Sequence, residues 1–324
     1  MAGDTLWARC GPGPLVAPVG TDSISVAVQR LLPADDDLLL VTGQGALLRV
    51  EGPNHDPVPV LDGGKDFDLR GGILVRLDRN RASFFRYGGG RLTPVEQPLP
   101  VASHELSVAL GPRSLYLHSP GNPANVLVVE LDRRTGDRTR SFFPIQRDLL
   151  RLLMTNADAV LKDAGYVRAF SDGFVYVPMI RDPIEVMGQR AVALFLAGGD
   201  RGTIRTVSER VVRDEQVCPT CTQHRELESG QTVRRLYADA IVEGEALWIL
   251  RLTPPGSASS ALHRYPIDSS VSGEIRSWRL GGMESAPRAM AFWRGRLAVA
   301  DDHHLHFYEI PSVERGMPCS PSSP

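Results

Sequence analysis

Glu245-Ala-Leu-Trp-Ile-Leu250 is an apolar run, and a second run, Ala261-Leu-His-Arg-Tyr265, follows it and ends in an aromatic residue. A turn from Asp268 to Gly273 leads to a further run, Ile275 to Leu280, and Ala238 to Val242 lies just upstream. Short runs of β-branched and aromatic residues bounded by Gly, Asp, Pro and Ser are strand signals. Residues 238–280 therefore read as one unit of four strands.

The unit recurs along the chain. Its central run appears as Leu38 to Val41, Ile73 to Val75, Ser114 to Leu117, Phe174 to Val177, Ala246 to Leu250 and Arg296 to Val299. The partner run follows as Ala46 to Val50, Ala82 to Tyr87, Asn125 to Glu130, Ala191 to Phe195, Ala261 to Tyr265 and His304 to Tyr308. Upstream runs are Phe67 to Leu69, Leu106 to Leu110, Tyr166 to Phe170, Ala238 to Val242 and Ala289 to Phe292. Asp132-Arg-Arg-Thr-Gly136 leads to a downstream strand from Arg138 to Pro144. Four-stranded units repeated radially are propeller blades, which cover one another's faces and leave only short edges. The expected fold is thus all-β: a six-bladed β-propeller of four-stranded antiparallel blades.

The partner runs start 36, 43, 66, 70 and 43 residues apart. Three of these spacings, 36, 43 and 43, lie near a blade period of about 40 to 50 residues, and the two long ones predict insertions. The first, 147–163, carries Leu150, Leu153, Ala157, Val160 and Leu161 at helical spacing. The second, 208–235, is a polar loop holding Cys218 and Cys221.

On phrases such as Glu245 to Leu250 and Gly295-Arg-Leu-Ala-Val-Ala300, the chain resembles the bacterial six-bladed propellers of the NHL-like and YWTD-like group, over residues 15–310. The resemblance implies ring closure by an N-terminal strand, for which Leu15 to Val19 is placed to pair beside His304 to Ile310. It leaves 1–14 as an N-terminal extension and 311–324 as a tail rich in Pro and Ser. It also points to the periplasm or cell envelope, whereas the lack of a signal-like start at Met1 to Cys10 reads as cytoplasmic.

Composition narrows the functional classes. Lys and Arg total 36 against 38 Asp and Glu, a net charge of -2, so bulk charge gives no sign of nucleic-acid binding. Only Lys65 and Lys162 are lysines, and the 34 arginines are scattered. No run approaches the roughly 18 apolar residues that span a bilayer. Nucleophile-elbow, zincin, P-loop and dinucleotide fingerprints are all absent.

Ring closure would make Cys10 and Cys319 neighbours and candidates for a disulfide. Cys218-Pro-Thr-Cys221 with His224 reads as a local disulfide, with metal and redox alternatives left open. In Asp301-Asp-His-His-Leu-His306, His304 and His306 share one strand face, where they could join Asp302 on a metal or form a solvated strand.

Propellers take ligands at the mouth of the central channel. The ligand-binding candidates there are Asp68, Glu105, Arg168, Asp239, Arg288 and Tyr237, with Tyr166 beside them. The favoured function is a non-enzymatic binding or scaffold propeller for a protein or saccharide partner, as a monomer and with no nucleic acid, cofactor or designated metal site. The alternative is a metal-dependent hydrolase or lactonase using calcium or zinc at Asp68, Glu105 and Asp239.

Overall fold

The computed structural model describes residues 7–9, 13–50, 56–103, 105–119, 127–142, 165–171, 173–178, 184–188, 203–205, 225–226, 232–233, 237–244, 246–251, 259–267, 275–318 and 320–322. Three short strands open the chain: β1 (Trp7–Arg9), β2 (Leu15–Val16) and β3 (Gly20–Ser23). The first complete sheet is β4 (Val28–Ala34), β5 (Asp37–Thr42), β6 (Leu47–Val50) and β7 (Val58–Leu61). The next is β8 (Asp66–Arg70), β9 (Ile73–Leu77), β10 (Arg81–Gly88) and β11 (Arg91–Pro94), with β12 (Leu99–Pro100) also paired to β10. Then come β13 (Ser107–Leu110), β14 (Ser114–His118), β15 (Val128–Asp132) and β16 (Arg138–Phe142). They are followed by β17 (Gly165–Ala169), β18 (Gly173–Pro178), β19 (Ile184–Gly188) and β20 (Thr203–Arg205).

A two-stranded ladder, β21 (Arg225–Glu226) with β22 (Thr232–Val233), precedes β23 (Tyr237–Glu243), β24 (Ala246–Arg251), β25 (Ser259–Pro266) and β26 (Arg276–Gly281). The last sheet holds β27 (Ala289–Trp293), β28 (Arg296–Ala300) and β29 (His304–Tyr308), completed by β3 from the other end of the chain. β30 (Met317–Pro318) lies on β26, and β31 (Ser320–Ser322) pairs with β1. This is an all-β propeller of four-stranded antiparallel blades.

Sheets covered on both faces need strands that are apolar throughout, and Leu38, Leu39, Leu40 and Val41 of β5 are all buried. The core is divided into layers between adjacent sheets. Phe67 and Leu74 pack with Leu39 and Leu47, and Val75 and Phe84 pack with Val108 and Leu115. Val167 and Phe174 pack with Ala109 and Tyr116. Trp248 and Trp278, stacked at 5.5 Å, pack with Met290 and Leu297. One more layer joins Leu38 and Leu40 of the first sheet to Ala298 and Phe307 of the last. The innermost strands follow the same order: β4 touches β8, β8 touches β13, β13 touches β17, β17 touches β23, β23 touches β27, and β27 returns to β4.

Tight turns permit the close spacing of strands. Gly71 and Gly72, at φ +55° and +73°, join β8 to β9, a backbone shape that side chains with a Cβ resist.

Three expectations change on the structure. Ring closure falls to Gly20–Ser23, antiparallel to β29, while Leu15–Val16 adds in parallel to β26 of the neighbouring sheet. Pro18 separates these two segments, so of the expected Leu15 to Val19 only Val19 reaches β29, its amide donating to the Phe307 carbonyl at 2.7 Å, and Gly20 to Ser23 form the ladder. The partner of β18 is Ile184–Gly188, where the sequence pattern favoured Ala191 to Phe195; those residues lie outside the described ones. At the C-terminus, the stretch read as a tail contains the 3-10 turn Val313–Arg315 and both short strands β30 and β31.

The expected helix at 147–163 lies outside the described residues, as do Cys10, Cys218, Cys221, Cys319 and His224. Within 208–235 the described residues are those of β21 and β22. No described helix is long and apolar enough to cross a membrane.

Candidate functional site: the central channel and its mouth

Inner strands in a ring present alternate side chains to the channel, so charged residues on them meet in a confined space. Arg30 is the hub on one side. Its guanidinium donates from Nη1 to the carbonyls of Phe67 (2.6 Å) and Val108 (3.2 Å) and to Asp66 Oδ2 (3.2 Å). From Nη2 it donates to Asp68 Oδ1 at 2.5 Å. Burial works against this charge, but Asp68, Asp66 and Asp239 outweigh it and raise the arginine's pKa above its ordinary value. The two aspartates also accept backbone amides from the next inner strand, Val108 N to Asp66 at 2.9 Å and Leu110 N to Asp68 at 2.6 Å.

Arg168 and Asp239 repeat the device on the other side. Arg168 Nη2 lies 2.7 Å from Asp239 Oδ1, and its Nε donates to the Ala240 carbonyl at 2.6 Å. The carboxylate further accepts the amides of Ala240 (2.7 Å) and Met290 (2.9 Å). The Tyr166 hydroxyl donates to the Ala238 carbonyl at 2.6 Å, with the Arg168 guanidinium 5.4 Å from its ring centre. A planar fork that can bind carboxylate and carbonyl together suits these sites, which explains why they hold arginine and not lysine.

The mouth opens at the carboxyl ends of the inner strands, as a cleft of about 480 Å³. Arg30, Asp68, Arg70, Arg168 and Glu243 supply its charge, and Phe170, Ile241 and Phe292 its apolar wall. Arg70 Nη1 reaches the Ala169 carbonyl at 3.4 Å. Glu243 is exposed on the rim, where the surrounding protein partly desolvates its carboxyl and raises its pKa. A second, shallower cleft of about 790 Å³ lies on the outer edge between β12 and the β15–β16 turn, lined by Glu96, Arg113, Arg133 and Arg134. There Arg133 forms an ion pair with Glu96.

The structure divides the sequence-derived candidates. Asp68 and Arg168 line the cleft, and Asp239 is buried behind it, bonded to Arg168. Glu105, Arg288 and Tyr237 sit at the amino ends of β13, β27 and β23, away from the mouth. The buried Glu105 carboxylate accepts from the Ser119 hydroxyl, and Lys65 Nζ donates to the Glu105 carbonyl at 3.0 Å. Arg288 forms an ion pair with Asp302. Tyr237 enters the ladder opposite Arg251.

Sequence reading missed Arg30, Asp66 and Arg70. A signal for Arg30 existed: it is the one charged residue in Val28-Gln-Arg-Leu-Leu-Pro-Ala34, where a buried strand needs a partner for any charge.

No protein-family model matches the chain, and no curated protein matches it. Among solved structures it is similar to the extracellular domain of a B. thetaiotaomicron protein described as a one-component system, at 11% identity and a TM-score of 0.44. That alignment covers 90% of this chain and 39% of the other, so the chain spans well under half of its length. It is also similar to the WD40 domain of Neurospora crassa Pan2, at 10% identity and a TM-score of 0.44, covering 91% of this chain and 90% of that one.

Proposed function

We propose that the chain is a non-enzymatic binding propeller, a ring of six blades that receives a segment of a protein partner at the channel mouth. The ring count is supported by the closed order of inner strands, β4, β8, β13, β17, β23 and β27, each against the next. The observation that carries the functional reading is the engagement of the aspartates among the described channel residues. Asp66, Asp68 and Asp239 each accept from an arginine and from a backbone amide. A general base or a metal ligand must present a carboxylate oxygen to its substrate or ion, and these carboxylates are turned toward arginines and the amides of neighbouring inner strands.

This arrangement weighs against the hydrolase reading. Glu105 lies at the other end of the ring from the mouth, and Asp68 and Asp239 are joined to different arginines. The mouth itself offers both signs of charge, through Arg70 and Glu243, beside an apolar wall. Mixed chemistry of that kind matches a peptide segment with its own charges and an apolar anchor.

The test is affinity capture from an extract of the native host, using the intact chain and the rim variants Arg70→Glu and Glu243→Arg. The expected result is a protein captured by the parent and lost with either reversal. Retention of every captured protein by both variants would overturn the reading, as would recovery of a saccharide alone.

A further inference from the structure

A second chemical grouping lies away from the mouth, at the turn between β28 and β29. Asp301 and His306 are buried there, and His304 keeps 25% of its side chain exposed. One ligand atom from each of the three lies within 4.8 Å of the others. His306 Nε2 is 3.0 Å from Asp301 Oδ2, and His304 Nδ1 is 3.7 Å from Asp301 Oδ1.

His304 Nδ1 is the informative atom. It is buried and has no hydrogen-bond partner among the described residues, although the rest of its ring reaches the surface. A buried polar atom without a partner is costly, and native structures hold few of them. A cation would use this nitrogen, the His306 nitrogen and the carboxylate together. Zinc with bonds of about 2.0 to 2.1 Å sets tetrahedral ligand atoms about 3.4 Å apart; His306 Nε2 and Asp301 Oδ2, at 3.0 Å, are near that spacing, and the three ligand atoms all lie within 4.8 Å of one another.

The surroundings hold the ligands in the required state. Asp301 Oδ1 accepts the amides of His303 (2.9 Å) and His304 (2.7 Å), which fixes the carboxylate and leaves Oδ2 facing the His306 imidazole. Thr21 Oγ1 lies 3.2 Å from His306 Nδ1, so the proton can rest on Nδ1 as a donor to Thr21 while Nε2 offers its lone pair. The nearby Arg288 guanidinium is occupied by Asp302. The exposed edge of His304 provides an entry path.

We propose that Asp301, His304 and His306 bind one divalent zinc ion, with Thr21 as the outer partner that couples the site to the ring-closing strand β3. Two imidazoles and one carboxylate favour zinc over calcium or magnesium, which take mainly oxygen ligands. The site stands independently of the binding role at the mouth.

The experiment uses the full chain carrying Cys218→Ser and Cys221→Ser, because thiolates next to His224 would compete for zinc. The chain is stripped with a chelator and titrated with zinc chloride by calorimetry, and separately with cobalt chloride by visible absorption. The expected result is one zinc per chain and a tetrahedral cobalt spectrum without thiolate bands. Thr21→Val should weaken zinc binding about 10-fold through loss of the outer hydrogen bond. His304→Ala should remove micromolar binding while leaving the metal-free unfolding midpoint unchanged. No zinc uptake at micromolar concentration, or equal affinity in the parent and His304→Ala, would overturn the proposal.

Discussion

Arg168 reaches from β17 across to β23 and places Nη2 2.7 Å from Oδ1 of Asp239, a residue with 1% of its side chain exposed. The same carboxylate accepts the amide of Met290 on β27, so a single aspartate joins three successive inner strands. The channel wall is therefore a chain of charge-assisted hydrogen bonds between blades as well as a potential ligand site.

Arg168→Ala should destabilise the fold by about 3 to 5 kcal/mol, because it leaves a buried carboxylate without its cation. The double variant Arg168→Met with Asp239→Asn should recover a large part of that loss, since the amide can still accept from Met290. Urea unfolding curves of the parent, Arg168→Met, Asp239→Asn and the double variant measure the coupling. Equal losses for the single and double variants would show that packing of the arginine stem, and not its charge, matters.

Arg30→Lys should fail to substitute despite keeping the charge. An ammonium cannot meet Asp66, Asp68 and the carbonyls of Phe67 and Val108 from one planar fork. A loss of about 2 kcal/mol or more is expected from the buried acceptors left unpaired. A thermal midpoint equal to that of the parent would contradict this account.

His263 should make the fold acid-sensitive. Burial, helped by the charge of Arg251, pushes its pKa down to about 3 from an ordinary value of 6.5. The unfolded chain takes up a proton below about pH 6.5 that the native chain refuses until about pH 3. Stability should fall as pH drops through that window, by at most about 1.4 kcal/mol per pH unit from this one group. His263→Gln, which keeps a polar contact for Tyr265, should flatten the acid limb of a stability–pH profile. An unchanged slope would assign the acid limb to other groups.

The β1–β31 ladder sets Trp7 against Ser322, Ala8 against Pro321 and Arg9 against Ser320. Cys10 follows Arg9 in the sequence and Cys319 precedes Ser320, and both cysteines lie outside the described residues. Peptide mapping without reductant should recover a fragment linking the two cysteines. Under oxidising conditions Cys10→Ser should then lower the unfolding midpoint, with roughly 5 kcal/mol as the upper limit for a loop this long. Alkylation of both thiols in the native, unreduced chain would refute the pairing.

The strand pattern was legible because each strand is short and apolar throughout. Leu38 to Val41, Ile73 to Val75 and Ala246 to Leu250 all fall within strands β5, β9 and β24. Arg168 and Asp239 were legible as channel residues by their place on inner runs. Their direct contact was not, because 71 residues separate them and pairing depends on how two blades face each other. Arg30 was hidden for a related reason: its four partners come from β8 and β13, which only ring closure brings to β4.

The sequence alone determined the alphabet of this protein: four-stranded units, their turns, and the apolar faces that must be covered by neighbours. Local periodicity and turn chemistry act within a few residues, so one chain suffices to read them. Tertiary structure alone decided that Gly20–Ser23 closes the ring, that channel arginines serve several strands at once, and that Asp301 rather than Asp302 faces His306. Those outcomes depend on distances between residues far apart in the chain, which are set by packing the blades around a common axis.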